Sequence, residues 1–428
     1  MKRIDNTIHQ TAETLSKSVT ADTAQDLLAD RLPAGLFAIY LMIAFALAVA
    51  CGSSFLLADT LRAAGYAAAT AGSVVSVGTV STLIGSLFAG RLAERTGILP
   101  LVAVSASIMA AAMACFAMIA TGGLPLAYAG GLLLGLGWSI FYMLAPIQLI
   151  HCLKSSARLE ALTLLAGAQM LGIGVSTPLG HAIADHFGGP GNAYAFYAVF
   201  CTLAAAFSLL IRRRMTDQPQ LPMRAVALSV AATLSILRAK TVVPVIMMGI
   251  AACTFAGLST FQSFYAGSRG LTPDIFFLTF TVTTVALRFS VASMIGKLPL
   301  GHLALTLFVA TFLGIGLLVI NTGNTILYVS ATVLFATGYG LTYSTLNAMV
   351  VNLAGERGLS IPVASQVFTL GYFVGSFGFP YFAGSLIADD GIDAALLVMV
   401  GLVAANIAIA GWMLLKATTD TGPVSHKS

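Results

Sequence analysis

Stretches of about 20 or more mostly apolar residues follow one another along nearly the whole chain. Twelve can be drawn, at 35–58, 67–90, 99–120, 125–149, 160–184, 192–211, 242–266, 273–296, 301–320, 325–349, 359–386 and 393–415. Runs of that length match the ~30 Å hydrocarbon layer of a bilayer. There every backbone N–H and C=O must be satisfied inside the protein, and a continuous helix does this within a single run. Of 428 residues, 58% are hydrophobic and 9% charged, and the mean hydropathy is +0.93. A soluble fold does not tolerate that balance. The expectation is an all-α membrane protein with twelve transmembrane helices.

The charges predict how it sits. With the N-terminus inside, 18 of the 21 Lys and Arg residues fall on the inner side, and only Arg62 and Arg269 fall outside. Arg288 is the remaining one, within an apolar run. This positive-inside bias puts both termini in the cytoplasm, in a cytoplasmic (inner) membrane. The net charge of +5 thus reports topology and excludes nucleic-acid binding. The tail at 1–34 reads as cytosolic, not as a signal peptide. The stretch 212–241 holds Arg212, Arg213, Arg214, Arg224, Arg238 and Lys240, and reads as a solvated cytoplasmic linker. It separates an N-terminal six-helix bundle, 35–211, from a C-terminal one, 242–415, with a second cytoplasmic tail at 416–428. The five cysteines lie in or beside apolar segments without a CxxC pair, so they read as free thiols, with no metal site and no cofactor.

The halves repeat. At an offset of 206 residues Ala50 meets Ala256, Ser53-Ser54-Phe55 meets Ser259-Thr260-Phe261, and Gly90-Arg91-Leu92 meets Gly296-Lys297-Leu298. Two pseudo-symmetric bundles that enclose a site near the bilayer midplane are a transporter pattern.

Arg288 carries the functional argument. It lies about 12 Å from one end of its run, at ~1.5 Å per residue. A charge so placed costs roughly 2.5–3.5 kcal/mol even on the lenient insertion scale. Thr284 and Thr281 stand on the same helical face, so the stripe is expected to face a protein cavity. A guanidinium there suits a carboxylate or phosphate, through a planar fork of donors. Further cavity candidates are the polar or aromatic residues of apolar helices: Ser54, Trp138, Tyr142, Gln169, Gln262, Tyr339, Tyr343 and Gln366. The acids mostly sit at helix ends. Asp59 is the one placed to reach the cavity and carry a coupling proton. His181, Asp185 and His186 read as a solvated helix end. There is no P-loop, HExxH or GxSxG, so an enzyme is not expected.

Between the second and third segments stand Gly90, Glu94, Arg95 and Gly97. This loop resembles the signature of the major facilitator superfamily, with Glu94 for the usual Asp and Ile98-Leu99 for the basic pair that follows. The resemblance implies that these residues help gate alternating access. The fifth segment, with Gly167, Gly172, Gly174, Thr177-Pro178 and Gly180, is similar to the Gly/Pro motif of superfamily antiporters. The layout resembles bacterial efflux permeases and metallophore exporters that carry an arginine in the eighth helix. The function so implied is secondary, proton-coupled export of a small anionic or zwitterionic organic molecule, siderophore-like or drug-like. The protein is expected to act as a monomer in contact with membrane lipid. Uptake of such a molecule and a non-transporting receptor or scaffold remain the alternatives.

Overall fold

The computed structural model describes residues 29–216, 230–295 and 299–420. Most of the N-terminal tail, Arg224 with the middle of the linker, Gly296-Lys297-Leu298 and the chain end lie outside the described residues. Apart from one isolated bridge between Ala29 and Leu153, the regular structure described is helical.

Helix α1 (Ala34–Gly52) runs through a 3-10 turn, Ser53–Leu56, into α2 (Leu57–Ala63). Then come α3 (Ala68–Thr96), α4 (Ile98–Ala117), α5 (Ile119–Cys152), α6 (Ser155–Phe187) and α7 (Pro190–Thr216). The linker holds α8 (Val230–Arg238). After it follow α9 (Val242–Thr260), α10 (Gln262–Ser268), α11 (Pro273–Ile295), α12 (Leu300–Ile320), α13 (Thr325–Glu356), α14 (Ile361–Asp390) and α15 (Ile392–Asp420). Eleven spans among the described residues are long and apolar enough to cross a membrane. Helix α11, with Arg288, is 23 residues long but is not among the eleven. The count of twelve from the sequence thus differs at the helix that carries the buried charge.

Local chemistry sets the boundaries. Asn324 caps α13, its side-chain oxygen accepting from the N–H groups of Ile326 and Leu327 at 2.9 and 3.1 Å. Gly97, at φ +86°, ends α3 and its N–H donates to the Ala93 carbonyl at 2.8 Å. A side chain would be strained there, which is why this tight turn takes glycine.

The internal repeat appears as structure. Helix α1 breaks at Ser53 and resumes as α2, and α9 breaks at Phe261 and resumes as α10. The packing repeats as well. Before the linker the main pairs are α4 with α5, α4 with α7, α3 with α5, α1 with α6 and α1 with α7. After it they are α12 with α13, α12 with α15, α11 with α13, α9 with α14 and α9 with α15, the same pairs one repeat later. Buried polar side chains tie neighbours within each group: the Tyr40 hydroxyl donates to the Ala145 carbonyl at 2.8 Å, and the Asn406 amide to the Met247 carbonyl at 3.0 Å. Large apolar side chains such as Leu210, Val282, Ile326 and Phe382 project outward and suit a lipid surround.

Two seams join the groups, α3 against α14 and α6 against α11, and the repeat relates them. In the first, Gly72 lies directly against the Pro380 carbonyl, and Ser76 accepts from the Tyr381 N–H at 2.9 Å while lying 3.2 Å from the Gly378 carbonyl. In the second, Gly174 leaves the room that the Thr281 side chain fills. Such backbone approach needs small residues. Overpacking a close contact costs about 1–3 kcal/mol. Gly72→Leu is therefore expected to lower the melting temperature in detergent, whereas Ile84→Leu, on an exposed helix face, leaves it nearly unchanged. Equal melting of both variants refutes the seam.

Candidate functional site

The seams meet around a central hollow of about 40 Å³. Its wall includes Ser54, Phe55 and Trp138 from the first group and Phe255, Thr260 and Tyr372 from the second. Above it, Phe55 stacks on Phe277 with ring centroids 5.7 Å apart and meets Phe255 edge-on at 6.0 Å, so an aromatic plug crosses between the groups. On the opposite side of this plug, near the helix ends that carry Asp59 and Asp274, opens a cleft of about 610 Å³.

Below the hollow stands a ring of tyrosines. Tyr142 of α5 lies 5.5 Å from Trp138, stacks on Tyr372 at 5.9 Å and meets Tyr343 edge-on at 6.3 Å. Tyr343 shares a hydrogen bond with Thr369 at 3.1 Å. Tyr339 stacks on Phe255 at 4.5 Å, with the rings nearly parallel. The Arg288 charge acts on the phenols of Tyr142, Tyr339 and Tyr343, which come from both groups. Its Nε is buried and has no hydrogen-bond partner. Fourteen residues separate Asp274 from Arg288, or about 21 Å along α11. A donor buried without an acceptor is costly, so it marks a place where a ligand or water completes the set.

The other candidates divide. Trp138 and Ser54 line the hollow. Gln169 has a buried Nε2, and Gln366 a buried Oε1, neither with a partner, on α6 and α14. Gln262 donates to the Tyr328 hydroxyl at 2.5 Å, and its Oε1 is buried without a partner. Thr281 packs on Gly174 and bonds the Phe277 carbonyl at 2.6 Å, so it belongs to the α6–α11 seam. Thr284 is fully buried against Gly340 of α13. The stripe read from helical spacing thus divides: Thr281 packs into the seam, the Thr284 hydroxyl is buried without a partner, and the arginine lies within electrostatic range of the tyrosines. The sequence reasoning did not nominate Phe55, Phe255 or Tyr372, because an aromatic side chain in an apolar helix reads the same facing a hollow, a neighbour or lipid.

Gly90, Glu94 and Arg95 occupy the last turns of α3, where Glu94 and Arg95 are exposed, and Gly97 makes the turn that follows. Asp59 accepts from Arg62 at 3.0 Å and lies 3.5 Å from His181. The solvated helix end expected at His181 is only partly found. Asp185 and His186 are exposed, but His181 is seated between the carboxylates of Asp59 and Asp274. Among the described residues no group of His, Cys, Asp and Glu is arranged to hold a metal ion.

Comparison with known proteins agrees with this architecture. Two crystal structures of the nucleoside transporter NupG share the fold. The first, of an aspartate-to-alanine mutant, has a TM-score of 0.69 and 12% identity, covering 88% of this chain and 99% of that one. The second has a TM-score of 0.67 and 11% identity, covering 89% and 98%. No curated protein matches by sequence. The family model of the Major Facilitator Superfamily matches residues 34–376. The chain therefore belongs to the Major Facilitator Superfamily, and it is a membrane transporter, not an enzyme.

Proposed function

We propose that this transporter exports a small organic molecule bearing an anionic group, siderophore-like or drug-like in kind, by proton-coupled alternating access. One observation carries the reading: Arg288 holds a buried Nε–H without an acceptor, beside tyrosines from both groups of helices. An anion in that place gains charge-assisted hydrogen bonds, and the aromatic walls receive the apolar part of the same molecule. The guanidinium then contributes to binding only while both groups surround the cargo, as alternating access requires.

The frame is twelve spans in two six-helix bundles, 35–211 and 242–415, each rocking as a unit about the seams. The supports are the repeated packing and the paired breaks at Ser53 and Phe261. The positive-inside bias supports cytoplasmic termini in an inner membrane, which makes the cleft at Asp59 and Asp274 the outer mouth. The turn at Gly97, with Gly90, Glu94 and Arg95 before it, then lies on the cytoplasmic side and gates there. The export direction rests on the antiporter-like Gly/Pro pattern of 167–180. The molecule works as a monomer in lipid.

The test begins by comparing the organic anions in cells and medium with and without the protein. The compound whose distribution changes is then followed into inverted vesicles. It is expected to accumulate when the vesicle interior is acid and to stop when the gradient is collapsed. A hydrogen bond to a charged group contributes about 1.5–3 kcal/mol. Arg288→Ala is therefore expected to weaken apparent affinity about tenfold to a hundredfold. Arg288→Lys is expected to recover only part, because an ammonium lacks the planar fork. Unchanged flux in the alanine variant removes Arg288 from the site. Uptake of a nucleoside by intact cells would instead favour import, the direction open to a chain that shares its fold with a nucleoside transporter.

A second expectation uses the two tryptophans. Trp138 is buried at the hollow, whereas Trp412 is 54% exposed. In Trp412→Phe, Trp138 is the sole reporter, and its emission is expected to shift when the identified compound is added. Arg288→Ala in that background is expected to abolish the shift at the same concentration.

A further inference from the structure

The outer mouth holds an arrangement that carrying cargo does not require. His181, on α6, has its Nδ1 2.7 Å from Oδ1 of Asp274, on α11 across the seam. Its Nε2 lies 3.5 Å from Oδ2 of Asp59, on α2 of its own group. Asp59 also accepts from Arg62 at 3.0 Å, and the Arg62 guanidinium carbon stands 4.9 Å over the Phe264 ring of the second group. Asp185 lies one turn beyond His181 on α6 and lines the same cleft. The Tyr194 hydroxyl of α7, 3.4 Å from that of Thr60, is a further titratable group beside Asp59, and Tyr328 of α13 is one within electrostatic range of Asp274. The second group contributes Ser263 and Thr272 to the cleft wall, both neutral.

Proton counting separates two states of this cluster. A neutral imidazole has one N–H and one lone pair, and only the imidazolium donates from both nitrogens. Both ring nitrogens here face carboxylates, so the observed geometry suits the charged ring. With His181 charged, Arg62 and His181 balance Asp59 and Asp274. With His181 neutral, one carboxylate faces a lone pair, Arg62 pairs only with Asp59, and Asp185 adds to the excess negative charge. The two groups of helices then repel across the mouth that the proton had tied.

The geometry points to His181 as a proton-operated latch of the outer gate. A proton on its imidazole joins Asp59 of the first group to Asp274 of the second, and loss of that proton lets α2 and α6 part from α11. The inference rests on the alternating-access reading, but not on the cargo or on Arg288. Its place in the cycle follows from the sign. A proton taken up from the outer side favours closure, so closure is complete in acid and is lost as pH rises. The aromatic plug of Phe55 and Phe277 lies about one turn deeper, so releasing the latch also frees the plug.

Hydrogen exchange on the purified full-length protein tests this without any cargo. Segments 57–63, 262–268 and 273–281 are compared over a pH series from about 6 to about 10.5, wide enough to pass the titration of an imidazole held by two carboxylates, after correction for the intrinsic chemical rate. The wild-type segments are expected to exchange several-fold faster at the high-pH end. His181→Gln and Asp274→Asn are each expected to exchange fast throughout, with segment 300–320 as protected as in the wild type. The second variant reads the same contact if the first fails to fold. Absence of a wild-type step overturns the latch. A step that survives in either folded variant overturns it too, by assigning the step to another group. Arg288→Ala is expected to keep the step. Cargo flux unchanged in Arg288→Ala, with an intact step, therefore refutes the Arg288 site alone, and an absent step with Arg288-dependent flux refutes the latch alone.

Discussion

Close backbone contact along two symmetric seams governs this molecule. In hydrocarbon no hydrophobic force draws one apolar helix to another, so van der Waals packing and a few buried hydrogen bonds must hold the helices together. Gly72 against Pro380 and Gly174 against Thr281 provide that packing between the groups, and Ser76 adds hydrogen bonds to backbone of α14. The hollow lies where the seams meet, so its shape depends on how tightly they close. At about 40 Å³ it holds no more than a water or two, so the structure represents a closed arrangement at this level.

The polar chemistry is arranged in depth. At one face a histidine and carboxylates bridge the groups, one turn deeper an aromatic plug does so, and beyond the hollow the field of a cation reaches phenols of both. Each layer draws on helices from both sides of the repeat. A rocking motion that separates the groups breaks these contacts together, while the packing within each group is left intact. The alternating access proposed above requires that division.

How far the sequence could be read differs between features. The apolar runs and the basic linker were legible, because hydropathy and charge act on the chain segment by segment, whereas the breaks inside the runs 35–58 and 242–266 were not. The offset of 206 residues appears as paired helix breaks, the Ser53–Leu56 turn and the break at Phe261, which is the counterpart of Phe55. The charge of Arg288 was legible as a cost that needs a purpose. Its company was not. Helical spacing set Thr281 and Thr284 beside it, yet both threonines pack against other helices, on Gly174 and Gly340. A helix several neighbours deep presents different faces to different partners, so one stripe does not define one environment. His181 shows the same limit. Near a helix end it reads as solvated, and only the approach of α11 places Asp274 against it.

The amino-acid order by itself determined that this chain crosses a membrane as helices, repeats its first half in its second and sets one cation, Arg288, inside an apolar run. These follow from transfer free energy and covalent spacing, which are properties of short stretches. The tertiary structure alone decided which side chains meet across the halves: Tyr142 with Tyr343, Phe55 with Phe277, His181 with Asp274. Those pairs lie from about 90 to more than 200 residues apart in the chain, and only the packing of whole helices brings them together.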